Sequence, residues 1–556
     1  MDILKTVIEG GQIWTHRIRM AKQVLRIAFL LSLLIGSISF LFFSSRIPLI
    51  YYQAFFYSTE AQFTPKDGKI LVSRKFWDQI SHQRTSLGKI TVSPATLQRA
   101  CQSKVDIFWK LIEKTIVKSL FTALITFGSS VLYFSIKGIR SRRKLHIDGQ
   151  EIIPVRQLAL KLKFSNQASP IKIDILPMVK GTETHHTLIS GATGQGKTNC
   201  FHHMLPQIRE QRHKAIIVDT SGEFVAKYYR EGKDILINPS DQRSVAWHPW
   251  AECQDIYDYK ALSQSLIPSS YREEENFWRK AAQEVLLAAL KEKAEDKRTS
   301  SLTRLLLHDP LATLSQSLEG TTAISYLDMA SEKTAGSVRA VVASFLECLE
   351  LLEDTEQPFS IRDWVWNDKD DSWLFLCSTV KQRAALTPLL SAWFSIAMHS
   401  LLQMQPNVDR RLWLIADELP SLNRLKDLET CLAQSRKYGG CALLAIQSPA
   451  QLEAIYGREH TRTIIGNCAT RIAFADHDPE TAARISKTFG EKEQKEAQEA
   501  ISYGTHEMRD GVNLSYQTKT SAAVTATAIQ SLEPLEAFVR LPGNYPIAKI
   551  KFKYQN

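Results

Sequence analysis

Two apolar runs interrupt an otherwise mixed pattern in the first 140 residues. Ile27 to Ser45 (IAFLLSLLIGSISFLFFSS) is 19 residues without a charge, and Ser119 to Ile136 (SLFTALITFGSSVLYFSI) is 18. As helices rising 1.5 Å per residue they span about 27–28 Å, close to the hydrocarbon thickness of a bilayer, so both are read as transmembrane helices. The competing reading is a cleaved signal peptide followed by a buried core helix. The first run is long for a signal peptide, and FFSSR has no small-x-small cleavage pattern.

After residue 145 the pattern changes to short apolar runs bounded by turn residues: THHTLIS (184–190), KAIIVD (214–219), SWLFLC (372–377), RLWLIAD (411–417), CALLAIQ (441–447) and TRIAFA (470–475). Several are continuously apolar, as strands covered on both faces should be, and helical stretches separate them. The pattern predicts a parallel-sheet α/β domain. From about 257 to 360 the sequence is helical throughout. In NFWRKAAQEVLLAALKEKAED, Phe277, Ala281, Val285, Ala288 and Ala289 recur at helical spacing and predict a buried face. This interval reads as an inserted all-α subdomain.

The expected organisation is a cytoplasmic N-terminus (1–26), a first transmembrane helix (27–45), a periplasmic loop or domain (46–118), a second transmembrane helix (119–136), the start of a nucleotide-binding domain (137–256), an all-α insert (257–360) and the rest of the nucleotide-binding domain (361–556). The fold class is α/β, a RecA-like P-loop domain with an inserted all-α subdomain, preceded by two transmembrane helices and a small periplasmic region. Lys5, Arg17, Arg19, Lys22 and Arg26 precede the first span, and Lys137, Arg140, Arg142, Arg143 and Lys144 follow the second. That distribution puts both termini in the cytoplasm. The expected location is the bacterial cell inner membrane, crossed twice.

Composition narrows the class without naming it. With 556 residues, 44% apolar and 23% charged, the chain is long enough for two to four cores and is neither disordered, collagenous nor a small disulfide scaffold. The eight cysteines form no C-x-x-C pair or Cys/His cluster, which argues against structural zinc and suits a reducing compartment. The net charge of +11 suggests a nucleic-acid binder until it is divided. Residues 1–180 hold 27 Lys+Arg and 10 Asp+Glu, while the remainder holds 42 and 48. The basic excess therefore belongs to the membrane end.

The strongest chemical motif is Gly191-Ala192-Thr193-Gly194-Gln195-Gly196-Lys197-Thr198, a complete G-x-x-x-x-G-K-T between an apolar strand and a helical stretch. The glycines allow backbone N–H groups to surround phosphate oxygens. Lys197 reaches the β and γ phosphates, and the Thr198 hydroxyl ligates Mg²⁺. ATP and Mg²⁺ are the expected cofactors. In LWLIADE, an apolar strand ends in Asp417, a metal-holding candidate, and Glu418, which would polarise the attacking water. The alternative is two acids capping the next helix. Gln447, at the end of the following strand, is either a γ-phosphate sensor or a surface residue. Arg436, in SRKYGG, reads equally as a solvated base or as a finger supplied across a subunit interface. Asp219 and Glu223 (VDTSGEF) are read as helix caps, the alternative being that they contribute to the site, and Asn238-Pro239 and Trp247-His-Pro-Trp250 as turn and packing residues, the alternative being contact with the nucleotide base. There is no Ser/His/Asp elbow and no LSGGQ-type signature.

Two N-terminal spans, a P-loop domain with an all-α insert, and the segments VDTSGEFVAKYY, FSIRDW, IADELPSL, SRKYGGCALLAIQS, LEAIYG and LPGNYP together resemble the TraD-type coupling proteins of conjugative type IV secretion, relatives of FtsK/HerA motors. The resemblance covers essentially the whole chain. It implies an inner-membrane, DNA-stimulated ATPase that assembles as a homo-hexamer. Such a ring receives relaxase-bound single-stranded plasmid DNA from the relaxosome and passes it to the type IV secretion channel. It assigns Gly191 to Thr198 to the nucleotide, Asp417 and Glu418 to metal and water, Gln447 to sensing, and Arg436 to the finger from a neighbouring subunit. The sequence ends at Asn556, without the long C-terminal extension by which F-like members grip a relaxosome partner. The expectation is that the α insert or an adaptor selects cargo instead. An alternative keeps the motor but makes protein effectors the main cargo. A third reading, a receptor or scaffold that nucleotide merely stabilises, fits poorly with intact Lys197, Asp417 and Glu418.

Overall fold

The computed structural model describes residues 2–82, 88–141, 145–328, 331–502 and 511–555, and the chain divides into two compact units, Met1–Leu145 with Glu496–Gln517 and His146–Lys495 with Thr518–Asn556. In the first unit, helices Asp2–Ser44 and Pro94–Ser141 contain the two apolar runs. They pack where side chains are small: a Cβ on Gly36 would stand 3.1 Å from Ala123 Cβ, the close backbone approach by which membrane helices associate. Elsewhere Leu41, Phe42, Leu120, Phe121 and Leu124 are exposed. A third helix of comparable apolarity, Arg383–Leu402, is 72% buried inside the protein, so exposure distinguishes the two N-terminal helices from a core helix. Between them, strands Ile70–Ser73 and Lys89–Val92 pair antiparallel. They close a small core of Ile70, Val72, Phe76, Leu97 and Cys101 with the adjoining helices.

The second unit is built on ten strands, numbered in chain order. These are β1 (Ile152–Pro154), β2 (Thr187–Ser190), β3 (Lys214–Asp219), β4 (Ile235–Ile237), β5 (Trp373–Cys377), β6 (Leu412–Ala416), β7 (Gly440–Ile446), β8 (Thr470–Phe474), β9 (Glu536–Arg540) and β10 (Ile547–Lys551). Their spatial order is β1-β10-β9-β8-β2-β7-β6-β3-β5-β4. The strands from β8 through β4 are parallel. The sheet as a whole is mixed, which corrects the expectation of a parallel sheet: β9 is antiparallel to both β8 and β10. A parallel crossover needs a dozen or more residues, and the short turn between β9 and β10 permits only a hairpin.

The continuous apolar runs fill both faces because successive strand residues point opposite ways. Leu412, Leu414 and Ala416 of β6 enter one core, and Trp413 and Ile415 enter the other. Between β4 and β5 lies the helical interval, with helices Ile256–Leu266, Glu273–Glu292, Glu332–Leu346 and Ile361–Trp366. Its Leu262, Leu286, Leu290, Val342 and Leu346 join the first of those cores. In helix Glu273–Glu292, Ala281, Val285, Ala288 and Ala289 are buried, but Phe277 is exposed. Its ring meets only the edge of Tyr326 among the aromatic rings of the neighbouring elements described, at a centroid distance of 6.5 Å.

Candidate functional site

Parallel strands bring their carboxyl ends to one edge of the sheet. The order β2-β7-β6-β3 therefore gathers the loop after β2, Gln447 after β7, Asp417 and Glu418 after β6, and the turn after β3. The loop Gly191–Gly196 leads from β2 into helix Lys197–Glu210. Two of its glycines are required by dihedral, and Gly191 by space as well. At Gly191 (φ +151°) a Cβ would lie 2.6 Å from Phe474 Cβ, and at Gly196 (φ +113°) 2.8 Å from Leu535 Cδ2. The loop is pinned on two sides: Ala192 N donates to Ala475 O at 2.9 Å, and Gln195 O accepts from Leu535 N at 2.9 Å.

Lys197 Nζ donates to Gly191 O (2.9 Å) and Ala192 O (3.2 Å), so the ammonium lies across the concave side of its own loop. Burial pulls its pKa down, and Glu418, Asp417 and Asp476 oppose that shift. Thr198 Oγ1 donates to Asp417 Oδ2 at 3.1 Å, joining the loop to the end of β6. The other carboxylate oxygen, Asp417 Oδ1, is buried with no hydrogen-bond partner among the described residues. Burial raises the Asp417 pKa to about 6, against the Thr198 hydrogen bond and the Lys197 charge. A divalent cation fits this donor set, since Thr198 and Asp417 offer hard oxygen ligands and one of those oxygens is unsatisfied. Gln447 Nε2 donates to Glu418 Oε2 at 2.9 Å. Burial also raises the Glu418 pKa, opposed by that bond and by Lys197 and Arg383.

These groups line one cleft of about 430 Å³, which includes Thr193, Gly194, Gly196, Lys197, Thr198, Asp417, Glu418 and Gln447. Arg436 is not among its lining residues. It is exposed in the short turn Ser435–Tyr438 that leads into β7, at the amino end of a seven-residue strand whose carboxyl end carries Gln447, on the order of 20 Å away.

The two acids after β3 behave differently. Asp219 caps the turn: its Oδ1 accepts from Ser221 N and Gly222 N, and its Oδ2 from Val225 N. Glu223 instead lines the cleft. Its Oε1 lies 2.8 Å from Nε2 of buried His202, whose Nδ1 lies 2.9 Å from the Tyr228 hydroxyl. The capping reading therefore holds for Asp219 and gives way for Glu223. Trp247 and Trp250 are packing residues, buried and donating to Glu252 Oε1 and Leu290 O, and Asn238 Oδ1 accepts from Ser240 N within a turn. Leu535, Tyr554 and Gln555 also line the cleft. No motif marks them, and they lie more than 300 residues after the Gly191–Thr198 loop in sequence.

Comparison with known proteins adds a family to this geometry. The family described as the type IV secretion-system coupling protein DNA-binding domain matches residues 170–553. Coupling protein TraD of Escherichia coli (strain K12) is 34% identical over 462 residues, covering 80% of this chain and 64% of TraD. A conjugal transfer protein TraG of Escherichia coli is 24% identical over 353 residues, 55% of each chain. The chain thus spans less than two thirds of the length of either relative. Among solved structures, the unbound bacterial conjugative coupling protein TrwBdeltaN70 superimposes with a TM-score of 0.67 at 27% identity, covering 74% of this chain and 94% of that one. Plasmid coupling protein TrwB in complex with ADP and Mg²⁺ gives 0.66 at 26% identity, with 74% and 95% covered. The RecA-like P-loop domain with its all-α domain is the shared fold.

Proposed function

The chain belongs to the type IV secretion-system coupling-protein family, and on that premise we propose that it is a membrane-anchored ATPase of conjugative transfer. It works as a homo-hexamer, receives relaxase-bound single-stranded plasmid DNA from the relaxosome and drives it toward the secretion channel. The observation that carries the ATPase is the bond between Thr198 and Asp417, with the second Asp417 oxygen buried and unpartnered beside Lys197. ATP lays its phosphates along the loop, where backbone N–H groups and the start of helix Lys197–Glu210 face them. Lys197 then exchanges the Gly191 and Ala192 carbonyls for phosphate oxygens. Thr198 and Asp417 would hold Mg²⁺, which when bound would supply positive charge to offset that of the phosphates. Glu418 orients the attacking water and accepts its proton, a role suited to a carboxylate whose pKa is raised by burial. Gln447, bonded to Glu418, links that carboxylate to the state of the γ-phosphate. Arg436 serves the cleft of a neighbouring subunit, since its own is out of reach.

Binding of ADP and Mg²⁺, and of ATP and GTP analogues, by TrwB supports the cofactor assignment. The conjugal and plasmid-coupling relatives support DNA over effector proteins as cargo. The two exposed apolar helices and their basic flanks support an inner-membrane anchor crossed twice, with cytoplasmic termini.

The test uses the full chain in detergent. Lys197→Ala should abolish Mg²⁺-dependent ATP turnover, and Arg436→Ala should bind ATP without turning it over. Mixing the two inactive variants should restore part of the activity, because a subunit carrying Lys197→Ala still donates Arg436 to its neighbour. Turnover by Lys197→Ala would put the chemistry elsewhere, and mixtures as inactive as their components would remove the trans finger.

A further inference from the structure

The cleft is lined by more than phosphate and metal groups require. The segment Phe552–Gln555 runs from the end of β10 onto helix Lys197–Glu210 and is fastened there on both sides of Tyr554. On one side, Phe552 N donates to Leu535 O at 2.8 Å, and the Phe552 ring packs on Phe474 and His203 at centroid distances of 5.3 and 5.6 Å. Lys553 O accepts from Asn199 Nδ2 (3.0 Å) and lies 2.7 Å from His203 Nε2. On the other side, Gln555 N donates to Asn199 Oδ1 at 2.8 Å. Between these anchors the Tyr554 side chain lines the cleft and is 72% exposed.

Leu535 meets it in an unusual backbone state. Its φ is +67°, a conformation that costs a non-glycine residue on the order of 1–2 kcal/mol. It is held there by bonds from its own N–H to Gln195 O and from Phe552 N to its carbonyl. Leu535 also lines the cleft and contacts the position where a Gly196 Cβ would be. Leu535 is thus held against the loop at Gln195 and Gly196, and the backbone on both sides of Tyr554 is held on Asn199, the residue that follows Thr198.

The polar residues of the cleft account for the β and γ phosphates and the metal. What remains of a nucleoside triphosphate beyond the α-phosphate is a sugar and a flat aromatic base. We infer that Tyr554 and Leu535 form the platform for the nucleotide base, the Tyr554 ring stacking on its face and Leu535 packing against it, an inference that rests on the nucleotide reading of the cleft. Stacking recognises a π-face common to every base, so the platform holds adenine and guanine alike.

The experiment is calorimetric titration of the full chain in detergent with Mg²⁺ complexes of ATP, GTP and inorganic triphosphate, the last having no base. Tyr554→Ala should weaken ATP and GTP by similar factors of roughly tenfold, as expected for loss of one stacking partner, and leave triphosphate within about twofold on the same scale. Tyr554→Phe should restore both nucleotides to wild-type affinity. Unchanged ATP affinity in Tyr554→Ala, alongside lost binding in Lys197→Ala, would overturn the platform alone. Equal losses for ATP and triphosphate would also overturn it, making Tyr554 a support for the loop. Full ATP affinity in Lys197→Ala would overturn the nucleotide reading beneath it.

Discussion

Asp417 carries an unfavourable charge in the nucleotide-free protein. One buried carboxylate oxygen has no partner among the described residues, and the group's pKa stands at about 6 against an ordinary 3.8. Between those values the folded chain holds a proton that the unfolded chain has released, so stability falls as pH rises through that window, and the penalty is complete above about pH 6. Asp417→Asn should therefore make the nucleotide-free protein more stable at pH 7, by up to about 3 kcal/mol. That advantage should vanish near pH 4 and can be read from thermal unfolding across the range. An advantage independent of pH would mean the charge is not its source. The pair of acids after this strand was legible because LWLIADE is an apolar run that stops abruptly at two acids. Glu223 was not, since VDTSGEF reads the same whether an acid caps a turn or faces a cleft. Only the fold separates Asp219, bonded to Gly222 and Val225 amides, from Glu223, bonded to His202. Leu535 and Tyr554 carry no signal in one dimension at all.

At the scale of elements, the site depends on strands far apart in sequence being neighbours in the sheet. The apolar runs gave the strands away, since burial on both faces leaves no polar position in β3, β5, β6 or β7 interiors. The strand order and the β9–β10 hairpin were not readable, because register and pairing partners come from packing rather than from composition. One ion cluster ties several elements together. Asp234 accepts from Arg209 of the P-loop helix at 2.7 and 3.0 Å, from Arg230, and from the backbone N–H of Trp373 at the start of β5. Its side chain is fully buried, and the Arg209 guanidinium also lies 3.5 Å from the centre of the Trp373 ring. Asp234→Ala removes the anion and strands Arg209, so a loss of about 3–5 kcal/mol is expected. Arg209→Met combined with Asp234→Asn should cost less than Asp234→Ala alone, because the buried guanidinium is removed with its anion and Arg230, the other partner, is 38% exposed to solvent. Denaturant unfolding of the three proteins measures this directly, and equal midpoints for Asp234→Ala and wild type would contradict it.

For the whole molecule, the division of charge now has a structural counterpart. The basic third of the sequence carries the two exposed apolar helices, while the unit that holds the nucleotide cleft lies almost wholly within the net-acidic remainder. Net charge is thus a guide to the membrane end and not to the cargo. If the proposed hexamer passes DNA, a few basic side chains repeated around its pore would suffice to hold a phosphate backbone. The most direct test is the rate of Mg²⁺-dependent ATP hydrolysis by the full chain, in a sample shown to be hexameric, with and without single-stranded DNA. We expect slow turnover alone and several-fold faster turnover with DNA. Equal rates in the two conditions would contradict a DNA-driven motor.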